Sequence, residues 1–213
     1  MPRRYSMQTR RAATVAARAR ILEAALDELA ATGGEAITLR GVADRADMAL
    51  RTMYNHFTSR DELLTAAFLH HAAQTRAAVE ALSVPDASPE EQLRHVVEAH
   101  YSRYAAMGAR LSVLLSVRGV PELDEQIKLI RGRRRQLLEK IIRRAARARQ
   151  LAVPVPTAVT LAFTMTSHAA WDVWLKELDG DVAEATTVVN EALSSALFHH
   201  KPIRSAGVRA LRN

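Results

Sequence analysis

The sequence predicts an all-α protein with two helical parts, and three observations support this fold class. Apolar residues recur at the three- and four-residue spacing of amphipathic helices along most of the 213-residue chain. Residue pairs typical of helix starts, such as Ser59 with Glu62 and Ser88 with Glu91, precede several of these stretches. No segment alternates between apolar and polar residues as a half-buried strand does.

Composition places the chain among ordinary soluble globular proteins, with 48% apolar and 25% charged residues. The chain has no cysteine, which excludes a disulfide framework and a thiolate metal site and fits a reducing cytoplasm. No apolar run approaches the roughly 18 residues of a membrane span. The basic N-terminus is not followed by the apolar core of a signal peptide. We therefore expect a cytoplasmic protein with no membrane partner.

The positive charge of the chain is concentrated in three segments. The net charge is +7, but residues 1–20, 127–150 and 201–213 together carry +19 and the remaining 156 residues carry −12. A basic surface fits a polyanionic partner such as DNA. Arginine outnumbers lysine 26 to 4, so a GC-rich genome is an alternative explanation for part of this bias.

The N-terminal region is expected to begin with a disordered basic arm over residues 1–13, because this stretch lacks apolar periodicity. The arm either touches DNA phosphates or the minor groove, or is an unstructured end. The first helix is expected from about Thr14 to Thr32, and Gly33-Gly34 would end it. Its apolar stripe would face the core and comprises Ile21, Ala25, Leu26 and Leu29.

Residues 38–64 predict two short helices, a tight turn and the start of a third helix. Thr38 is a typical N-cap for the first short helix, and the chain then breaks at residues 47–49. The second short helix, Leu50–His56, would carry Met53 and Phe57 inward at i, i+4 spacing. Two helices joined by about three residues, with a polar outer face on the second, form a helix-turn-helix layout. We assign residues 14–64 to this DNA-binding domain.

The outer face of the second helix offers hydrogen-bonding groups that suit a major groove. Arg51 is the best candidate for reading a base, and Arg60 at a helix N-terminus suits a phosphate. For Tyr54, packing in the core is the alternative. The predicted DNA-binding residues are Thr38, Arg40, Ala49, Leu50, Arg51, Thr52, Tyr54, Asn55, His56 and Arg60.

The pattern Thr52-x-Tyr54-x-His56-Phe57-x-Ser59-Arg60-x-x-Leu63 resembles the signature of the tetracycline-repressor (TetR) family of bacterial transcriptional regulators. The resemblance covers roughly residues 14–64. The chain has Asp47 where the family usually has Gly, Ala49 where it usually has Ser, and Arg60 where it usually has Lys. Asp tolerates a left-handed backbone better than most residues. Ala49 lacks the side-chain cap, which costs about 1 kcal/mol.

The remaining chain predicts a helical body over residues 65–200, followed by a basic tail over 201–213. Helices are expected over about 59–82, 89–107, 111–117, 121–150, 157–178 and 182–200. The resemblance implies that this body binds a small-molecule effector and forms a homodimer. Its arginine-rich helix, including Arg131, Arg133, Arg134 and Arg135, reads as a solvated face, with an acidic ligand or a second DNA contact as alternatives.

The resemblance also implies an effector pocket among the body helices. Apolar walls with a few polar groups suit a small hydrophobic effector, although each of these residues could instead be ordinary core. The candidate pocket residues are His100, Tyr104, Met107, Phe163, His168, Trp171 and Trp174.

Two stripes of small residues near the C-terminus predict a dimer interface. Small residues at i, i+3/i+4 spacing let helices approach closely, so two such hairpins could form a four-helix interface. The alternative is that both stripes pack within one subunit. The stripes are Ala158, Ala162, Met165, Ala169 and Val173, and Val182, Ala185, Val189, Ala192 and Ala196.

These predictions indicate a dimeric, sequence-specific DNA-binding regulator that reads a palindromic operator. The resemblance implies a repressor released by its effector. An activator, an effector-independent DNA-binding protein and an all-α enzyme are the alternatives. Histidines do not form a zinc-binding pattern, and no phosphate-binding loop or nucleophile elbow occurs, so we expect no catalytic residues, metal or cofactor.

Overall fold

The computed structural model describes residues 3–32, 37–117, 119–177 and 181–199. These residues form ten α-helices and contain no strand beyond one isolated bridge between Leu151 and Phe198, which confirms the all-α prediction. The helices are α1 Arg3–Thr32, α2 Leu39–Arg45, α3 Leu50–Tyr54, α4 Arg60–Glu80, α5 Pro89–Met107, α6 Ala109–Ser116, α7 Pro121–Arg147, α8 Val155–Met165, α9 His168–Lys176 and α10 Val182–Leu197.

The chain divides into two compact units. Unit 1 comprises residues 1–83 and 103–134, and unit 2 comprises residues 84–102 and 135–213. The division falls within α5 and α7, so each of these helices contributes residues to both units. The functional division expected after residue 64 concerns what each part binds, and it stays a prediction.

Unit 1 is built on apolar side chains from α1 to α4. Ile21 and Leu26 of α1 are completely or almost completely buried, as are Val42 of α2 and Met53 of α3. Phe57, in the turn after α3, is also fully buried. Each such burial contributes roughly 1.5–3 kcal/mol, so the inward face of the two short helices fixes which residues remain outside.

The N-terminal arm is a correction to the sequence prediction, because α1 begins at Arg3 rather than near Thr14. No proline or glycine occurs between Arg3 and Thr32, and arginine, alanine and glutamine are good helix formers. The side chains of residues 7–16 are exposed, which explains why this part of the helix has no apolar periodicity. Gly33 and Gly34 lie outside the described residues.

Unit 2 contains a second correction, because the single helix expected over 157–178 is divided into α8 and α9. The Thr166 hydroxyl donates to the Ala162 carbonyl at 2.7 Å, and the Ser167 hydroxyl accepts from the Ala170 N–H at 3.2 Å. Ser167 is therefore the N-cap of α9, and side chains of this type compete with a continuous helix. The break was concealed by apolar periodicity that continues through it.

The other body helices lie close to their expected positions. Ser88 and Glu91 form a reciprocal capping box, in which the Ser88 N–H donates to Glu91 Oε2 at 2.9 Å. The Tyr101 hydroxyl donates to the Met165 carbonyl at 2.8 Å within unit 2. The basic tail over 201–213 and residues 178–180 lie outside the described residues. Over the part of the chain that the structure covers, no helix is both long and apolar enough to cross a membrane.

Candidate nucleic-acid interface

Helix α2 is fixed at its start by a cap and along its side by α1. The Thr38 hydroxyl accepts from the Gly41 N–H at 3.0 Å, as expected of an N-cap. Glu28 of α1 accepts from Arg45 Nε at 2.8 Å. A Cβ atom at Gly41 would lie 2.9 Å from Glu28 Oε1, so a larger residue at this position would require the Glu28 carboxylate to shift.

The turn between α2 and α3 is a Schellman motif. The Met48 N–H donates to the Ala43 carbonyl at 3.0 Å, and the Asp47 N–H donates to the Asp44 carbonyl at 3.2 Å. Asp47 has a φ of +52°, which places it in the left-handed region where glycine is usual. The turn therefore keeps its geometry with an aspartate, as the sequence predicted.

Helix α3 begins without a side-chain cap, as expected of Ala49. It is also shorter than predicted, ending at Tyr54 instead of His56. The chain tightens after Tyr54, because the His56 and Phe57 N–H groups both donate to the Met53 carbonyl, at 2.9 and 3.0 Å. The side chains of residues 55 and 56 therefore follow the helix in a turn.

Arg18 of α1 braces the end of α3. Its Nη1 donates to the His56 carbonyl at 3.1 Å, and its guanidinium carbon lies 4.2 Å from the centre of the Phe57 ring. A cation over an aromatic face and beside a helix C-terminus is favourable on both counts. Arg18 is thus an internal support of the turn after α3.

The start of α4 is held by hydrogen bonds in both directions between its first turn and the residues before it. The Ser59 hydroxyl accepts from the Glu62 N–H at 3.1 Å, which confirms the predicted cap. The Glu62 carboxylate returns to Thr58 instead of Ser59, accepting from its hydroxyl at 2.7 Å and from its N–H at 2.8 Å. The hydrogen bonds from Thr58 lower the pKa of Glu62 below its usual value.

All ten predicted DNA-binding residues are exposed or half-buried. Tyr54 is 53% exposed, which excludes the alternative that it packs in the core. Arg60 donates through Nε to the Ile37 carbonyl at 3.2 Å and lies 3.3 Å from Asp61, so its guanidinium is oriented by the protein. Contact of these residues with DNA stays a prediction.

Sequence reasoning missed the supports that position this surface, namely Arg18, Glu28 and Arg45. Arg18 lies three and seven residues before Ile21 and Ala25, on the same helical face as the core stripe. A cation on an apolar stripe needs an acceptor or an aromatic ring, and that signal was present in the sequence. The pairing of Glu28 with Arg45 depends on the angle between two helices, which the sequence does not specify.

The predicted effector residues belong to both units. Tyr104 and Met107 lie in unit 1, and the other five lie in unit 2. Arg134, predicted to lie on a solvated face, is only 7% exposed and donates to the Tyr104 hydroxyl at 2.9 Å. Burial raises the pKa of Tyr104 despite the opposing effect of Arg134.

In unit 2, the rings of His168 and Trp171 lie 5.3 Å apart, and burial lowers the pKa of His168. A surface cleft in unit 2 has a cavity volume of about 10 Å³, far below the roughly 300–1,000 Å³ of typical ligand pockets. None of the predicted effector residues lines this cleft, whose walls are Glu90, Leu93, Arg94, Asn190, Leu193, Ser194 and Phe198.

The predicted dimer interface needs a correction at four of its residues. Ala158, Ala162, Ala185 and Val189 are completely buried within the single chain. Helices α8 and α10 pack on each other, and small side chains allow this close approach. The structure thus assigns these four residues to internal packing. Of the other six, Val173 is 47% exposed, Ala169, Ala192 and Ala196 are exposed, and Met165 and Val182 are half-buried.

Comparison with known proteins bears on the same region. Residues 21–67 match the family described as bacterial regulatory proteins, tetR family. A stretch of 80 residues is 36% identical to the HTH-type transcriptional repressor KstR of Mycobacterium tuberculosis. This match covers 38% of the chain and 36% of the relative, so the chain spans about a third of the length of this curated relative.

Solved structures show the same fold over most of the chain. A regulatory protein of the tetR family from Rhodococcus RHA1 is 23% identical with a TM-score of 0.67, covering 87% of this chain and 98% of that one. The regulator FadR from Bacillus subtilis, solved in complex with stearoyl-CoA, is 20% identical with a TM-score of 0.58, covering 83% and 97%. At these identities the likeness shows the fold alone.

The fold and the exposed face of α3 define a helix-turn-helix protein with an additional helical body. The segment over residues 21–67 is thus similar to the tetR family of bacterial regulatory proteins. This agrees with the resemblance carried by Thr52, Tyr54, His56 and Phe57.

Proposed function

We propose that the protein is a sequence-specific DNA-binding transcriptional repressor. The observation that carries this proposal is the arrangement of α3, where Met53 is fully buried while Arg51, Tyr54 and Asn55 point outward. A short helix with a buried apolar side and exposed hydrogen-bonding side chains suits insertion into a major groove. The likeness to the KstR repressor over 80 residues supports repression over activation.

The exposed side chains divide into two groups by the chemistry they offer. Arg51 and Asn55 provide donors and acceptors that can pair with guanine and adenine edges. Arg60, held at the N-terminus of α4 by the Ile37 carbonyl, is oriented for a phosphate, where helix N–H groups also favour an anion. The first group would set the sequence read, and the second would set affinity and register.

The operator would be palindromic, because we infer that two copies of the chain act together. A two-fold dimer presents two α3 helices to successive turns of the major groove, about 34–36 Å apart. Within unit 2, exposed apolar side chains on α8 and α10 support an interface between copies, with Leu161 38% and Val188 37% exposed. These two residues replace the buried alanines as our candidates for the centre of that interface.

Release from the operator would follow binding of a small apolar molecule in the body. The likeness in fold to FadR, solved with stearoyl-CoA, supports an effector with a long apolar portion. Helix α4 begins shortly after α3, which we call the reading helix. The effector would favour a state in which α4 holds this helix at an angle that does not fit the operator. Such a shift requires that the effector bind this state more tightly than the DNA-binding state.

The test is a genome-wide footprint of the purified protein on fragmented DNA of its source, at near-physiological salt. A few sharp palindromic sites are expected, and deletion of the gene should raise transcription beside them. Diffuse binding that disappears with modest salt would contradict sequence-specific reading, because phosphate contacts alone give that behaviour. A fall in transcription after deletion would contradict repression.

Two arginine substitutions separate base reading from phosphate binding. Arg51→Ala should relax the sequence preference at one operator position by about 1–3 kcal/mol, because a bidentate guanine contact is worth that much. Arg60→Ala should weaken binding to all sequences alike and reduce the salt slope by about one ion. Affinities for the operator and for single-base variants, measured across a salt series, check both expectations.

The matched control is Arg143→Ala, since Arg143 is an exposed arginine of α7 paired with Glu139 four residues earlier. This variant should leave both affinity and sequence preference unchanged. Identical behaviour of the Arg51 and Arg60 variants would overturn the proposed division of roles.

A further inference from the structure

A cluster of polar side chains joins three helices of unit 1. We call Glu23 and Asp27 of α1, His70 and Gln74 of α4, and Arg110 of α6 the α1 ion cluster. Arg110 Nη1 donates to Glu23 Oε2 at 2.7 Å, and Arg110 Nε donates to Asp27 Oδ1 at 2.8 Å. Arg110 Nη2 also donates to Asp27. One guanidinium thus makes three charge-assisted hydrogen bonds to two carboxylates of the same helix.

Glu23 extends the α1 ion cluster from α6 to α4. Its second oxygen, Oε1, accepts from Gln74 Nε2 at 3.0 Å and lies 3.2 Å from His70 Nε2. Burial tends to raise the pKa of Glu23, but the hydrogen bonds from Gln74 and Arg110 outweigh it and lower that pKa. The carboxylate is therefore charged near neutral pH and can hold α4 and α6 at once.

The α1 ion cluster lies between the two points where α1 supports the reading head, which is the helix-turn-helix formed by α2 and α3. Arg18 holds the His56 carbonyl after α3, and Glu28 holds Arg45 of α2. Residues 18 and 28 are about 15 Å apart along a helix that rises 1.5 Å per residue, and Glu23 lies midway. Any displacement of α1 at Glu23 is thereby passed to both helices of the helix-turn-helix.

This contact holds the start of α6 against α1. The helix begins at Gly108, whose φ of +51° is a conformation that L side chains rarely adopt, and no side chain caps its first turn. Leu111 and Leu114 are buried, and Arg110 of the first turn donates hydrogen bonds to α1. Arg110 thus fixes α6 against α1 at the point where α6 begins.

We propose that Arg110 is a positioning residue for DNA binding, which sets the angle of the reading head by fixing α6 to α1. This provides a route from α6 to α3 through α1, in addition to the direct route along α4. The proposal rests on the proposed DNA-binding function. It requires no contact between Arg110 and DNA.

The test compares Arg110→Ala, Asp27→Ala and the double variant, with Arg143→Ala as the control that removes an exposed ion pair elsewhere. Operator dissociation constants are measured across a salt series, and hydrogen exchange is measured for the amides of residues 50–57. Each single variant should weaken operator binding about fivefold or more, the lower end of typical coupling between sites. Because Asp27→Ala removes only part of the contact that Arg110→Ala removes, the double variant should bind no more weakly than Arg110→Ala alone.

Two further readouts distinguish positioning from other roles. The salt slope should stay unchanged in the Arg110 variant, whereas loss of a phosphate contact would reduce it by about one ion. Exchange should become faster at residues 55–57, and Arg110→Lys, which keeps the charge, should restore part of the affinity.

Unchanged operator affinity and unchanged exchange in Arg110→Ala would overturn the proposal, as would a reduced salt slope. Failure of the proposed function gives a different result. In that case the wild-type protein would show no specific operator, while exchange at residues 55–57 would still report whether Arg110 holds α3.

Discussion

At the scale of single residues, Asp47 shows how a turn tolerates an unusual side chain. Its φ of +52° lies in the left-handed region, and the two hydrogen bonds of the Schellman motif hold it there. The left-handed conformation costs an L residue roughly 1–2 kcal/mol, and aspartate pays less than most because its short side chain bonds locally. The motif therefore fixes the relative direction of α2 and α3 at some cost in stability.

Asp47→Gly should raise the free energy of unfolding by about 0.5 kcal/mol, because glycine adopts this conformation without strain. Asp47→Ala should lower it by about 1 kcal/mol. Urea unfolding of the full chain checks both values. Asp44→Gly is the matched control, since Asp44 lies inside α2 and a glycine there should destabilise. Equal effects of glycine at positions 44 and 47 would contradict this explanation.

His71 gives unit 1 a pH dependence. It is 6% exposed, neither ring nitrogen has a hydrogen-bond partner among the described residues, and burial lowers its pKa. The charged groups that face it are Glu23 of α1, which raises the pKa, and Arg110 of α6 and His70 of α4, which lower it. Below the ordinary histidine pKa of about 6.5, the unfolded chain binds a proton that the folded chain does not.

Stability should therefore fall as the pH decreases from 6.5 towards the lowered pKa, by at most about 1.4 kcal/mol per pH unit. Above about 6.5 both states are neutral at this residue, so no such dependence is expected. Urea unfolding of wild type and His71→Leu at pH 7.5 and 5.5 measures it. The variant should lose less stability than wild type, and equal losses would show that His71 is not responsible.

Residue types that carry local information could be predicted from the sequence, and residues that depend on helix angles could not. Thr38 and Ser59 cap helices as expected, and Met53 and Phe57 point inward, because caps and helical spacing are encoded within a few neighbours. Arg110 pairs with residues more than 80 positions earlier. Glu23 and Asp27, two like charges four residues apart, were a local sign that a cation was required.

At the scale of elements, α1 is the helix that differs most from its prediction. The side chains of residues 7–16 are exposed, including those of Arg10 and Arg11. These arginines lie about 10–12 Å along the helix from Arg18, which itself touches the end of the reading helix. The basic segment therefore continues the helix that supports α3.

Arg10→Ala combined with Arg11→Ala should weaken binding to all DNA sequences and reduce the salt slope by up to about two ions. The matched control combines Arg133→Ala with Arg135→Ala, which removes two exposed arginines of the basic helix α7. Affinity measured across a salt series checks both. A lower salt slope in the control alone would assign the second DNA contact to α7 instead of α1.

The small-residue stripes on α8 and α10 show a second limit of prediction at the scale of elements. Their spacing correctly indicated close helix packing, but it could not say whether the partner helix belongs to the same chain. Ala158 and Ala185 are fully buried, so α8 and α10 are each other's partners. Leu161 and Val188 lie on the same two helices and remain exposed outside this contact.

At the scale of the whole molecule, the exposed residues Leu161 and Val188 predict the assembly state. Leu161→Glu and Val188→Glu should convert the protein from a dimer to a monomer, because a charge would be buried at the centre of the interface. Light scattering at micromolar concentration measures the mass. Val15→Glu is the control, since Val15 is 63% exposed on α1. A monomeric wild type would refute the dimer.

The contact between Arg18 and the His56 carbonyl has a consequence for the electric field of the reading head. The C-terminal carbonyls of a helix carry about half a negative elementary charge, which repels an approaching phosphate. The guanidinium of Arg18 covers this end of α3 with a full positive charge at 3.1 Å. In the proposed complex, α3 would therefore present no net negative pole to the DNA backbone, and Arg18 would favour binding through its contact with the protein.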